Sequence, residues 1–132
     1  MIMRNEAKEY LSLRRRLRSF VHAFSGWWFV LSTQPNSWVH AIISIGVLAL
    51  GVWLQVSLLE WAVLLLTTMA VWMAEFFNTA LEAVVDIASP EYHPLAKIAK
   101  DVAAAAVLVG AFCAVSLGLL IMGPPLWGRL FS

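Results

Sequence analysis

Two stretches of this chain, residues 19–59 and 102–128, contain no Asp, Glu, Lys or Arg, and they run for 41 and 27 residues. Either is long enough to contain a bilayer span, which takes roughly 20 residues of α-helix. The composition agrees, with 61% apolar and 13% charged residues and a mean hydropathy of +0.80, where a soluble domain carries about a quarter charged residues. The chain therefore reads as one small all-α membrane domain covering residues 1–132. A net charge of +1, with nine Lys and Arg in total, leaves no extended basic patch and excludes nucleic acid as the main partner. The single cysteine, Cys113, allows neither an intramolecular disulfide nor a thiolate metal cluster and is expected to be a small packing residue.

Arg14, Arg15, Arg16 and Arg18 resemble the basic region of a signal peptide. The stretch after them, however, carries His22, Ser25 and Ser32 and never forms a clean apolar core, so cleavage is not expected. On a helix, Leu13, Leu17, Phe20, Phe24, Trp27, Trp28 and Leu31 recur at three- and four-residue steps, away from Arg15, Arg18 and His22. That pattern predicts an amphipathic helix over about 7–32, either lying in the membrane interface or packing on the rest of the protein. The turn-forming stretch STQPNS at 32–37 ends it at Pro35. Continuous apolar sequence then predicts a first span over about 37–56. A second follows over about 60–88, close to 30 residues or roughly 45 Å long, so its last turns must tilt or leave the hydrocarbon. Ser89-Pro90 breaks it, and Pro94 can occupy the first turn of a third helix over about 95–122, expected to end at Gly123-Pro124-Pro125.

Eight of the nine basic residues fall in the amino segment and in the loop before the third span, which places both on the cytoplasmic side and the carboxyl end outside. In that frame Trp27, Trp28 and Trp38 mark the inner interface and Trp53, Trp61 and Trp127 the outer one, while Trp72 is expected to pack between helices.

The second span carries Glu75, Asn78, Glu82 and Asp86 at intervals of three, four and four residues, so three carboxyl groups and an amide line one stripe. Counting inward puts Glu75 just inside the apolar layer and Glu82 and Asp86 at or beyond the surface. Acidic groups at that depth need a cation partner or a function. Pairing with Lys97 and Lys100 is the purely structural alternative, although two lysines do not neutralise these three carboxylates and Asp101. Hard-oxygen clusters of this kind suit Mg²⁺, which takes one or two carboxylates and fills its shell with water and substrate phosphates. Lys100 and Asp101 can complete such a site for phosphoryl transfer, with a carboxylate at the membrane edge taking a proton from a lipid hydroxyl. The seven glycines are scattered singly, so no P-loop or kinase glycine loop is present.

These residues resemble the prokaryotic diacylglycerol kinase and undecaprenol kinase family of small membrane lipid kinases, from about residue 15 to 121. Residues 75–86, EFFNTALEAVVD, look like its ExxNTAIExxVD signature, and residues 91–101, EYHPLAKIAKD, like its EYH…AKD segment. Residues 19–26, SFVHAFSG, and Asn36 with His40 in a TExNFxxH-like stretch add weaker support. The resemblance implies a homotrimer with composite active sites, an amphipathic amino-terminal helix on the inner face, and ATP as phosphoryl donor with Mg²⁺. It implies a place in the bacterial cytoplasmic membrane and a membrane lipid alcohol as acceptor. Glu75 matches the proposed general base, Asn78 and Asp86 polar residues of the site, Glu82 a Mg²⁺ ligand, and Lys100 with Asp101 the group that binds the ATP phosphates. Tyr92 and His93 match the loop near the nucleotide, or serve as loop and cap residues. Arg15 matches a basic residue over the phosphates, or is one of four headgroup-binding arginines.

One departure bears on activity. Where the family carries a second metal-binding glutamate, this chain has Gln34 followed by Pro35. Gln34 keeps an oxygen ligand and loses its charge, so weaker Mg²⁺ binding or greater reliance on ATP is expected. The wording of residues 93–108, HPLAKIAKDVAAAAVL, and the Asn36/His40 stretch look more like the undecaprenol kinase branch, which favours undecaprenol over diacylglycerol as acceptor. Two other classes stand beside this reading. An ion-coupled transporter would need acidic groups near the bilayer midplane and repeated halves. A non-catalytic relative that binds nucleotide or lipid would account for Gln34.

Overall fold

The computed structural model describes residues 13–131, with the side chains described from Arg16 onward. Four helices follow one another: α1 (Leu13–Thr33), α2 (Pro35–Leu54), α3 (Leu58–Ala88) and α4 (Pro94–Phe131). The chain divides into two compact units, 1–35 and 36–132. In the first, α1 runs to Thr33, and the Gln34 N–H donates to Val30 O at 3.0 Å to close its last turn. Val30 is its one buried large hydrophobic residue among those described. Residues 7–12 of the expected surface helix lie outside the described residues.

The second unit holds α2, α3 and α4, each long and apolar enough to cross a membrane. Their breaks have local causes. The α2 helix ends where Gln55 adopts φ 57°. The Gln55 N–H bonds Val52 O at 3.2 Å and the Val56 N–H reaches back to Gly51 O at 3.2 Å, the paired bonds of a Schellman stop. Two residues later Ser57 opens α3 with a capping box. Its Oγ accepts from the Glu60 N–H at 3.4 Å, and its own N–H donates to Glu60 Oε2 at 2.6 Å. Pro94 starts α4 in the turn where a missing N–H costs nothing, and the His93 Nδ1 accepts from the Leu95 N–H at 3.2 Å.

Hydroxyls inside the apolar layer bond carbonyls of their own helix, as they must where water is absent. Thr67 bonds Val63 O at 3.0 Å, Thr68 bonds Leu64 O at 2.8 Å and Ser44 bonds His40 O at 2.6 Å. Among the described residues, only α3 and α4 approach closely over many turns. A Cβ on Gly110 would lie 3.8 Å from the Val71 backbone, the small-residue contact that lets membrane helices pack. Leu54, Leu64 and Met122 form a buried cluster that ties α2 to that pair, with Val47, Leu50, Val56, Ile121 and Leu126 around it. Trp61 packs on Gly51, where an added Cβ would meet its ring at 2.8 Å.

Two expectations are corrected. The third span does not stop at Gly123-Pro124-Pro125, because α4 continues through both prolines to Phe131. Proline's fixed φ is helical, and residues beyond the prolines have partners that hold the helix on course. Leu126 packs on the buried cluster, and the Arg129 guanidinium stands 5.3 Å over the Trp53 ring. Cys113, expected to pack, is exposed on α4, because the tight α3–α4 seam is built from other residues such as Gly110.

Candidate active site

The stripe read from the sequence on α3 exists, and its members differ in environment. Glu75 is 2% exposed and Asn78 8%, whereas Glu82 is half-buried and Asp86 exposed. The helix carries the chain from apolar surroundings into open ones within about three turns. Neighbouring Thr79 is also buried, its hydroxyl satisfied by Glu75 O at 2.9 Å.

Glu75 faces α2 rather than the lysines. Its Oε2 lies 3.8 Å from His40 Nε2, a nitrogen buried without a hydrogen-bond partner. The His40 ring is held edge-on to Trp72, with centroids 6.2 Å apart. Trp72 in turn donates from Nε1 to Ser44 Oγ at 3.1 Å, so this tryptophan packs between helices as expected. Asn36, His40, Glu75, Asn78, Val107 and Ala111 are among the residues lining a cavity of about 330 Å³. A second, largely apolar cavity of about 200 Å³ adjoins it through His40 and Ala111 and runs on past Thr68 and Gly118.

Asn78 links the buried and exposed parts of the stripe. Its Nδ2 donates to Glu82 Oε1 at 3.3 Å, while its Oδ1 is buried without a partner. Beyond Glu82, Lys100 reaches across from α4 to Asp86 at 2.7 Å, an ion pair with side chains 36% and 65% exposed. Part of the structural alternative is therefore real, because one lysine does neutralise one carboxylate. It does not extend to Glu75. Asp101, next in sequence to Lys100, is bonded to Lys97 one turn away on the exposed side of α4. Tyr92 is 81% exposed, and His93 is exposed and occupied as the cap of α4. Gln34 belongs to the first unit, and the Arg15 side chain lies outside the described residues.

Among the described residues no three His, Cys, Asp or Glu side chains converge as a self-sufficient metal centre. The donors at the open end of the stripe, Glu82 and Asp86, are of the hard-oxygen kind that Mg²⁺ takes one or two at a time. In the sequence His40 stands only as part of a motif, without a role of its own. The available signal was a lone imidazole entering an otherwise apolar span, four residues before a serine.

Three helices long and apolar enough to cross a membrane hold a buried carboxylate among them, with an ion pair near one end. Residues 21–122 match the family described as prokaryotic diacylglycerol kinase, and the chain belongs to that family of lipid kinases. It is 41% identical over 114 residues to an undecaprenol kinase of Bacillus subtilis, covering 86% of this chain and 93% of that protein. It is 42% identical over 111 residues to a diacylglycerol kinase of Synechocystis, covering 83% of this chain and 63% of the relative. With a diacylglycerol kinase of Escherichia coli it shares 43% identity over 63 residues, 48% of this chain and 52% of the other.

Proposed function

We propose that this chain transfers the γ-phosphoryl group of ATP to the primary hydroxyl of a membrane lipid alcohol, undecaprenol in preference to diacylglycerol. The observation that carries the reading is the buried Glu75, which opens onto a cavity with unpaired polar atoms and shares a helix face with Glu82 and Asp86. Glu75 stands where a lipid's hydroxyl would arrive with its tail still in hydrocarbon, placed to take the hydroxyl proton. The preference for undecaprenol rests on the Bacillus subtilis relative, which this chain matches over nearly its whole length.

In the transfer, the acceptor O–H gives its proton to Glu75 and its oxygen forms the new bond to the γ-phosphorus. The bond from that phosphorus to the β-phosphate oxygen breaks, and ADP leaves with the electron pair. Lys100 binds the phosphates by exchanging its Asp86 partner for phosphate oxygens, a swap that its half-exposed position permits. Mg²⁺, when bound, would be held by Glu82 and Asp86 and would offset phosphate charge. Asn78 fixes the Glu82 carboxylate through its amide N–H. Gln34, the neutral counterpart of a family glutamate, would leave more of the metal shell to ATP. Asp101 holds Lys97 and steadies the start of α4 beside Lys100.

In this reading the protein is a homotrimer in the cytoplasmic membrane. The α1 helix lies in the inner interface with its arginines on anionic headgroups, and the carboxyl end is outside. The test is transfer from labelled ATP by purified protein in bilayers, with undecaprenol and diacylglycerol offered separately, with and without Mg²⁺. Mg²⁺-dependent product, greater on undecaprenol, is expected. Folded protein that labels neither lipid would overturn the reading and favour a binding role.

A further inference from the structure

The cavity beside Glu75 contains two buried atoms that lack hydrogen-bond partners, His40 Nε2 and Asn78 Oδ1. A polar atom buried without a hydrogen bond has given up water for nothing, so a native site that does so twice in one cavity is shaped for a polar group that arrives from outside. The charge pattern narrows which residue receives it. Lys97 is bonded to Asp101 and Lys100 to Asp86. Of the residues that line the cavity, His40 alone can be a cation or a strong N–H donor beside Glu75; Asn36 and Asn78 are neutral, and α4 contributes only Ala104, Val107, Leu108 and Ala111.

The distance is informative too. At 3.8 Å, His40 Nε2 and Glu75 Oε2 are too far apart for a direct hydrogen bond. An oxygen about 2.8 Å from each, an ordinary hydrogen-bond length, bridges them. An alcohol suits that bridge, because a hydroxyl donates one hydrogen bond and accepts another, whereas a carbonyl or ether only accepts. The neighbouring apolar cavity, which reaches the same point through His40 and Ala111, receives the first carbons of a hydrocarbon chain attached to that oxygen.

We propose that His40 is part of the acceptor site. Its Nε2–H holds the oxygen of the lipid hydroxyl while Glu75 receives the hydroxyl proton. This rests on the kinase reading above and adds to it a residue that contacts the substrate. The edge contact with Trp72, itself anchored on Ser44, fixes the imidazole plane so that Nε2 points at Glu75. The other lone pair of the acceptor oxygen stays free to attack phosphorus.

His40→Leu removes the donor, and His40→Gln keeps an N–H at similar reach. In lipid bilayers with undecaprenol, His40→Leu is expected to lower kcat about 100-fold, the usual effect of losing one hydrogen bond at a reacting oxygen. The KM for ATP should stay within twofold, and His40→Gln should recover about tenfold of the loss. Equal losses in both variants, a KM for ATP that rises in step, or turnover of His40→Leu within threefold of wild type would overturn the proposal. A second readout does not depend on turnover. The infrared band of the Glu75 carboxyl, assigned by its loss in Glu75→Gln, should move when farnesol, a short primary alcohol, is added to wild type, and not in His40→Leu. A band that moves equally in both, or in neither, overturns the site. If the wild type phosphorylates neither lipid, the kinase reading fails and the infrared comparison alone decides whether the alcohol site exists.

Discussion

The Leu54 end and the Glu75 end of the same helices are built on opposite rules. At the Leu54 end apolar side chains interlock, Trp61 covers Gly51, Arg129 covers Trp53, and both helix termini are closed by complete caps. At the Glu75 end a carboxylate and an amide are buried beside a half-buried imidazole, two of their atoms lack hydrogen bonds, and a cavity lies between α2 and the α3–α4 pair. Satisfied groups make an end stable, and unsatisfied ones leave it ready to bind. The contrast assigns stability to one end and chemistry to the other, and substitutions at each can break that assignment.

The largest effect is expected at Glu75. Glu75→Gln should reduce phosphoryl transfer by about three orders of magnitude, within the range for removing a general base, while nucleotide titration shows ATP affinity within a few-fold of wild type. Retained turnover would take the chemistry away from this end. Leu54→Ala should do the reverse, since Leu54 is 6% exposed and lines neither cavity. A loss of about 2 kcal/mol in detergent unfolding is expected, the low end of the usual core range because the bilayer also solvates leucine. Its turnover per folded molecule should be unchanged. Ser57→Ala removes half of the capping box and should cost about 1 kcal/mol in the same unfolding measurement. The smallest effect is a gain. Gln55→Gly, at φ 57°, should stabilise by about 0.5–1 kcal/mol, because glycine adopts that conformation without a Cβ penalty.

The apolar end was legible largely as length. Charge-free runs and Pro35, Ser89-Pro90 and Pro94 place the helices within a few residues, because breakers and hydrocarbon act locally. The Ser57-x-x-Glu60 spacing carries the pattern of the capping box that opens α3. The end of α4 was not, because Pro124 and Pro125 read as a stop while the contacts that carry the helix past them, Leu126 on the buried cluster and Arg129 on Trp53, come from elsewhere in the chain. At the polar end, spacing alone aligned Glu75, Asn78, Glu82 and Asp86 on one face. Spacing cannot say which partner each meets across helices. Lys100 therefore appears with Asp86, Asp101 with Lys97, and Glu75 with His40, a residue 35 positions earlier on a different helix.

The most direct test of the contrast is to locate the acceptor's hydroxyl. A primary lipid alcohol carrying a diazirine in its chain a few carbons from the CH2OH group, photolysed with the wild-type protein in bilayers and mapped by peptide mass spectrometry, reports which side chains surround that end of the lipid. Labelling concentrated on His40, Glu75 and Asn78, and suppressed by excess undecaprenol, is the expected result. Labelling confined to the Leu54 end, or spread evenly over the lipid-facing residues, would contradict the account.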